Sequence, residues 1–198
     1  ESILIDVLLL LLFGLRHTVT ARPRFKAALT KVLSPAAERS TYVLVSSALL
    51  ILMFWQWRPI DTVVWNVTDP TVSMVVGALF ALGWIIVFAS TFMINHFDLF
   101  GLRQVFVHLR GREYQSPPFI KRFMYKIVRH PLMLGFLIAL WAAPTMTLGH
   151  LIMSAGLSIY IFIALHFEER DLETALGEDY ARYKDEVPMV IPIPRRKR

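Results

Sequence analysis

TVSMVVGALFALGWIIVFASTFMINH, residues 71–96, carries no ionisable side chain before its final histidine. An apolar run longer than about 18 residues has no soluble use as a strand or an amphipathic helix, and reads as a bilayer-spanning helix. Its neighbours extend the pattern. Apolar blocks run from Ile3 to His17, from Tyr42 to Trp57, from Pro131 to Thr147 and from His150 to Phe167. Pro131 suits a first helical position, where its missing N–H costs nothing. Only Leu148 and Gly149 separate the last two blocks, so a tight antiparallel helical hairpin is expected there. The expected fold is an all-α, polytopic integral membrane protein with about five transmembrane helices, the last two forming a C-terminal hairpin. A single domain over residues 1–198 is expected, with residues 168–198 as a polar tail.

The remaining composition agrees. Hydrophobic residues make up 56% of the chain and charged residues 18%, more apolar than the roughly half typical of soluble domains. There is no cysteine, which excludes disulfides, thiolate metal sites and a cysteine nucleophile. The net charge of +6 points to anionic lipid headgroups rather than nucleic acid, because the basic residues sit in loops between apolar blocks. The chain opens at Glu1 without a methionine, so a segment upstream is expected. The first block lacks the basic start and small-residue cleavage site of a signal peptide.

Loop charge fixes an orientation. Arg16, Arg22, Arg24, Lys26, Lys31 and Arg39 crowd the first loop. Arg103, Arg110, Arg112, Lys121, Arg122, Lys126 and Arg129 crowd the third. Arg170, Arg182, Lys184 and Arg195–Arg198 follow the last block. The second loop holds only Arg58, with Asp61 and Asp69, and the last turn holds no Lys or Arg. Basic loops stay in the cytoplasm. The N-terminus is therefore expected outside the inner membrane, and the C-terminus and the cofactor pocket inside. Trp55, Trp57 and Trp65 lie toward the opposite face, as an interfacial belt would.

Two segments at the expected cytoplasmic edge carry unusual chemistry. Arg129-His130-Pro131 enters the fourth block, and Glu168-Glu169 leaves the fifth. A hairpin returns the chain to the face it left, so a cationic pair should meet a carboxylate pair. That arrangement suits a zwitterionic ligand bearing a carboxylate and an ammonium. The plainer reading is that Arg129 and His130 anchor a helix by snorkelling to headgroups. Two glutamates at a helix C-terminus oppose its dipole and need a partner, either Arg129 or a ligand. Tyr180 and Tyr183, three apart on one helical face, serve either packing or a site. Pro188, Pro192 and Pro194 stiffen the tail.

RHPLMLG at 129–135, followed by EERDLETALGEDYARYKDEVP at 168–188, resembles the isoprenylcysteine carboxyl methyltransferase and phospholipid methyltransferase superfamily. The resemblance implies S-adenosylmethionine as cofactor, held at the cytoplasmic side by Arg129, His130, Gly135, Glu168, Glu169, Tyr180 and Tyr183. Leu132 and Met133 stand where many members carry a tyrosine. A second stretch, Asn95 to Gln104, taken with Ala21–Lys26 and Glu38–Tyr42, is similar to the bacterial methanethiol S-methyltransferases. It implies methylation of a small thiol, methanethiol to dimethyl sulfide. The superfamily's other acceptors are a prenylcysteine carboxylate and a phospholipid amine, and a non-enzymatic membrane scaffold is the remaining alternative.

Methyl transfer to sulfur needs the thiolate, and an alkyl thiol is mostly protonated at neutral pH. His96 is the candidate general base, since imidazole titrates near working pH, with Asp98 to orient it. Alternatively the sulfonium charge itself favours the thiolate, and no base is required. The plain reading of this stretch is an Asp98–Arg103 ion pair and a histidine capping carbonyls. Asn95, Phe92, Phe97, Phe100 and Met133 are candidates for the substrate pocket, and Phe92, Phe97 or Trp141 for cation–π contact with the sulfonium. Among the other histidines, His17 and His166 lie near the expected site. His108 reads as surface, and His150 as a helix start. His96 and Asp98 lack a second spaced pair, so no metal site is expected. Asp6 is the one acidic residue well inside a block, too few for an ion pathway. The expected partners are a small thiol and membrane lipid.

Overall fold

A computed structural model of the protein describes residues 1–116 and 121–193. Pro194 and the Arg195–Arg198 run therefore lie outside the described residues. The chain is a polytopic all-α membrane protein. Among the described residues, four helices are long and apolar enough to cross a bilayer: α1 (Ser2–Ala21), α3 (Pro35–Gln56), α4 (Pro70–Ile94) and α8 (Leu148–Leu176). At about 1.5 Å per residue, each covers the roughly 30 Å hydrocarbon core. Their side chains remain largely uncovered by protein, with Ile85 and Phe88 on α4 both more than 60% exposed. That is the surface of a helix whose solvent is lipid.

The described residues form two compact units. The first comprises Glu1–Asp61 and the described part of Ile94–Phe119. In it α1 packs on α3, joined by the short α2 (Pro23–Leu29). Two further helices, α5 (His96–Leu99) and α6 (Leu102–Leu109), follow, and α6 packs on α3. Asp6 is fully buried and its Oδ1 accepts the backbone N–H of Arg58 at 2.8 Å, fixing the start of α1 to the second residue beyond the end of α3. Gly101 caps α6 at φ 76°, and a Cβ there would lie 2.4 Å from the backbone nitrogen of Ser40. Only glycine combines that backbone with that closeness.

The second unit holds strand β1 (Val63–Asn66), α4, a 3₁₀ turn at Phe123–Lys126, α7 (Pro131–Trp141), strand β2 (Thr145–Thr147), α8 and α9 (Glu178–Glu186). Its core joins Ile161, Leu165 and Val190 to Met133, Leu134, Phe136, Leu137 and Leu140. A second cluster joins Tyr180, Tyr183 and Val187 to Leu172 and Leu176. Helices α4 and α7 meet backbone to backbone. A Cβ on Gly135 would stand 2.7 Å from the Gly83 carbonyl oxygen, and one on Gly83 would stand 2.7 Å from the Ala139 nitrogen.

Three expectations need correction. The fourth span, read from the sequence as 131–147, stops as a helix at Trp141. Its eleven residues cover about 16 Å, roughly half the hydrocarbon core. Pro144 is the reason: it lacks an N–H, clashes with the preceding turn and biases Ala143 away from helix. The tight Leu148-Gly149 turn is accordingly absent. Thr145–Thr147 instead pairs antiparallel with Val63–Asn66. The exposed Trp65 braces the ribbon, its indole N–H donating to the Ala143 carbonyl at 3.0 Å. Leu148 N–H reaches Thr62 O at 2.8 Å, and Val67 N–H reaches Pro144 O at 2.9 Å. The ribbon thus satisfies backbone groups that the shortened helix leaves behind. Finally, α8 continues well past Phe167, so Glu168 and Glu169 lie inside a helix and not at its C-terminus. The unfavourable dipole at a helix end does not apply to them.

Candidate active site

Helix α7 starts at Pro131, directly after Arg129 and His130. Glu169 projects from α8 toward them. Arg129 Nε donates to Glu169 Oε1 at 2.7 Å, and His130 Nε2 lies 3.1 Å from the same oxygen. Arg129 Nη1 donates to the carbonyls of Lys184 at 2.9 Å and Val187 at 2.5 Å. The backbone joins in, with Arg129 N–H to Pro188 O at 2.9 Å and His130 N–H to Met189 O at 3.0 Å. Lys184 Nζ stands 3.8 Å from Glu169 Oε2 and 2.7 Å from Glu173 Oε1. Arg129, His130 and Glu169 are all buried. Ionised groups removed from water persist only when paired and hydrogen-bonded, and here Arg129 and Glu169 each have their partners.

The two tyrosines of α9 close this cluster from the tail. Tyr183 O–H donates to the Tyr125 carbonyl at 2.6 Å, and its ring meets that of Tyr180 edge to face at 5.8 Å. Burial pushes the Tyr183 phenol up to about 12, opposed in part by Arg129. Burial also raises Tyr180, reinforced by Glu169. Both therefore stay neutral at working pH, offering aromatic faces and hydroxyls rather than charge.

The structure thus brings Arg129, His130, Glu169, Tyr180 and Tyr183 into one buried neighbourhood of both charge signs. Glu168 is exposed. Successive helical residues point about 100° apart, so only one glutamate of the pair turns inward. Gly135 sits in the α4–α7 contact, where its missing side chain has a packing reason. His166 is exposed on α8. His150 Nε2 lies 3.0 Å from Leu140 O, tying α8 to α7.

The first unit assembles the other motif. Asn95 caps α5, its Oδ1 accepting Asp98 N–H at 3.3 Å. Asp98 is buried, and its Oδ2 accepts from Arg103 Nη1 at 2.9 Å. Gln104 Nε2 donates to Asp98 O at 3.2 Å. The His96 ring lies 4.8 Å from Phe100 and 5.7 Å from Phe97. Arg39 Nε donates to Leu99 O at 2.9 Å, so the Glu38–Tyr42 and Asn95–Gln104 stretches, far apart in sequence, are neighbours. The pocket candidates belong to both units. Phe97 is exposed and Phe100 half-buried in this unit, whereas Phe92 is exposed against Phe88 and Met133 packs in the core of the second unit. Trp141 donates its indole N–H to Ser158 Oγ at 2.9 Å.

One constellation escaped the sequence reading. His17 Nδ1 lies 2.9 Å from Ser46 Oγ, and its Nε2 lies 2.6 Å from Tyr42 O–H. These groups line a cavity of about 410 Å³ walled by Phe13, Val43, Leu50, Ile51 and Phe54. His17 drew notice as a histidine beside a span. Tyr42 was noticed only as the end of the Glu38–Tyr42 stretch and Ser46 gave no signal, because the partnership joins two helices. Among the described residues, no group of three His, Asp or Glu is placed to hold a metal ion.

Comparison with known proteins adds lineage to this geometry. The NnrU protein family matches residues 5–191. Methanethiol S-methyltransferase 1 of Bradyrhizobium diazoefficiens is 50% identical over 97% of this chain and 67% of its own length. Methanethiol S-methyltransferase of Mycobacterium tuberculosis is 48% identical over 99% of this chain and 80% of its own. Nurim of Pan troglodytes is a more distant relative, 29% identical over 84% of this chain and 66% of its own. No solved structure matches. The chain belongs to the NnrU family, alongside the methanethiol S-methyltransferases that it matches over nearly its whole length.

Proposed function

We propose that the chain transfers the methyl group of S-adenosylmethionine to methanethiol, giving dimethyl sulfide and S-adenosylhomocysteine, with residues 1–198 acting as one catalytic domain. The observation that carries this reading is the match, at about half identity over nearly the whole chain, to proteins named for that reaction. The buried cluster supports it independently. Arg129 and His130 offer donors to a carboxylate, Glu169 offers acceptors to an ammonium, and Tyr180 and Tyr183 offer aromatic faces to the adenosyl group, so the donor set fits the cofactor.

When bound, the cofactor supplies an electrophilic methyl group on a sulfonium. Glu169, Arg129 and His130 would hold and orient it, and positioning would supply most of the rate. On the acceptor side a proton must leave the thiol before its sulfur can act as the nucleophile. His96 is the proposed proton acceptor. Asp98 is proposed to act on it through the rigid Asn95–Gln104 turn, since its Oδ2 is engaged by Arg103. Asn95, Phe92, Phe97, Phe100 and Met133 are proposed to restrict the acceptor, and Glu168 and Gly135 to support the cofactor site.

Methanethiol has two heavy atoms. At about 1.5 kcal/mol per atom at best, binding alone gives millimolar affinity or weaker. Selectivity must therefore come from exclusion. Rates are expected to fall steadily from methanethiol through ethanethiol to longer alkyl thiols, and Phe97→Ala should relax that limit. Faster turnover of a farnesylcysteine analogue than of methanethiol would overturn the small-thiol reading while leaving the methyltransferase intact.

The protein is a multi-pass membrane protein, and we place its basic loops and C-terminus in the cytoplasm on the charge bias. The absence of native cysteine makes the test direct. Single cysteines at Lys31, Ser116 and Glu178 should resist an impermeant thiol reagent added to intact cells. Labelling at any of the three contradicts the assignment.

A further inference from the structure

We infer that the segment from Lys121 to Ile127 is a binding site for the phosphate of an anionic phospholipid headgroup. Lys121, Arg122, Phe123 and Lys126 line a surface depression of about 440 Å³, with no acidic residue among the described residues of its wall. Lys121 is engaged, its Nζ 2.6 Å from Glu186 Oε2 and 5.1 Å from the centre of the Tyr183 ring. Arg122 and Lys126 are exposed and make no ion pair or side-chain hydrogen bond among the described residues. Two cations thus border a concavity with their donors unspent.

The apolar residues identify the source of the phosphate. Phe123 is 71% exposed and holds a left-handed backbone, φ 47°, that non-glycine residues seldom adopt. Ile127 is 57% exposed. A site for a phosphate dissolved in water gains nothing from a bulky phenyl ring and an isoleucine left in solvent beside it. A site at the headgroup layer gains from both, because aromatic and aliphatic groups settle at the acyl boundary while Lys and Arg reach the phosphates. The chain position agrees: the segment ends shortly before Pro131, the first residue of the apolar helix α7.

The segment is also bonded to the candidate active site. Tyr125 O accepts from Tyr183, Lys121 pairs with Glu186 on α9, and Arg129 follows within a few residues. A lipid seated here therefore steadies the stretch that delivers Arg129 to Glu169.

The test is a native mass-spectrometric titration of the detergent-solubilised full chain with phosphatidylglycerol and with phosphatidylcholine, reading the first lipid bound. Wild-type protein should hold phosphatidylglycerol at least tenfold more tightly than phosphatidylcholine. Arg122→Gln with Lys126→Gln should weaken phosphatidylglycerol by about tenfold to thirtyfold and leave phosphatidylcholine unchanged. Equal affinity for the two lipids in the wild type, or an unchanged phosphatidylglycerol affinity in a folded double variant, overturns the inference. If the double variant does not fold, the wild-type lipid preference and the single exchange Arg122→Gln decide the matter on the same criteria. Inorganic phosphate binding as tightly as the lipid would assign the site to a soluble ligand and reject the headgroup. None of these readouts requires the methyltransferase reading to hold.

Discussion

Glu169→Ala is expected to lower folding stability by about 3–5 kcal/mol and to weaken S-adenosylhomocysteine binding by tenfold to a hundredfold. The stability loss comes from leaving a buried guanidinium without its counter-charge, an error that low-dielectric surroundings penalise heavily. Arg129 is 5% exposed and its Nη1 is spent on the Lys184 and Val187 carbonyls, so water can do little to replace the lost carboxylate. The affinity loss follows from removing a charge-assisted hydrogen bond, worth roughly 1.5–3 kcal/mol. Glu169→Gln separates the two effects. It preserves an acceptor for Arg129 and nearly the same volume, and should recover much of the stability while remaining poor at binding an ammonium. Thermal unfolding and calorimetry with S-adenosylhomocysteine measure each separately. A folded Glu169→Ala protein that binds with unchanged affinity removes Glu169 from the cofactor site.

Gly135→Val is expected to destabilise by about 3 kcal/mol or more, at or beyond the upper end of ordinary overpacking. The new Cβ would fall 2.7 Å from Gly83 O and 2.8 Å from Val87 N, both backbone atoms of α4. Neither can rotate away as a side-chain tip would, so α4 and α7 must separate, and the Trp84–Phe136 edge-to-face contact at 5.8 Å goes with them. Gly77→Ala on the same helix is the control. Nothing lies within 4 Å of its Cβ position, and alanine is the better helix former, so its melting temperature should be equal or slightly higher. A Gly135→Val protein that melts with the wild type would show that the two helices do not need this contact.

What the sequence made legible follows the range of the physics behind each inference. The span at 71–96 emerged as helix Pro70–Ile94, because an uninterrupted apolar run is a local signal. The Arg129–Glu169 pairing was legible from charge and from a returning chain. Which glutamate turns inward was not, since adjacency says nothing of helical phase until the helix is known to continue to Leu176. The β1–β2 ribbon was illegible for a different reason. Val63–Asn66 is four residues long, and its pairing depends on Pro144 ending α7 far away in sequence. The His17–Tyr42–Ser46 chain is a tertiary fact of the same kind, as is the meeting of Arg39 with Leu99. The Asp98–Arg103 pair was foreseen as the plain reading of its stretch, and the structure shows that pair.

The bonds from Arg129 and His130 to residues 184–189 also set an order of events during synthesis. Leu176 ends the last of the four described helices long enough to cross a bilayer. A chain with those helices in the membrane, but with residues 184–189 not yet folded back, leaves Arg129 without the Lys184, Val187 and Pro188 carbonyls that take up its Nη1 and backbone donors. Crossing the bilayer and dressing this arginine are therefore separate steps, and the second waits on the tail.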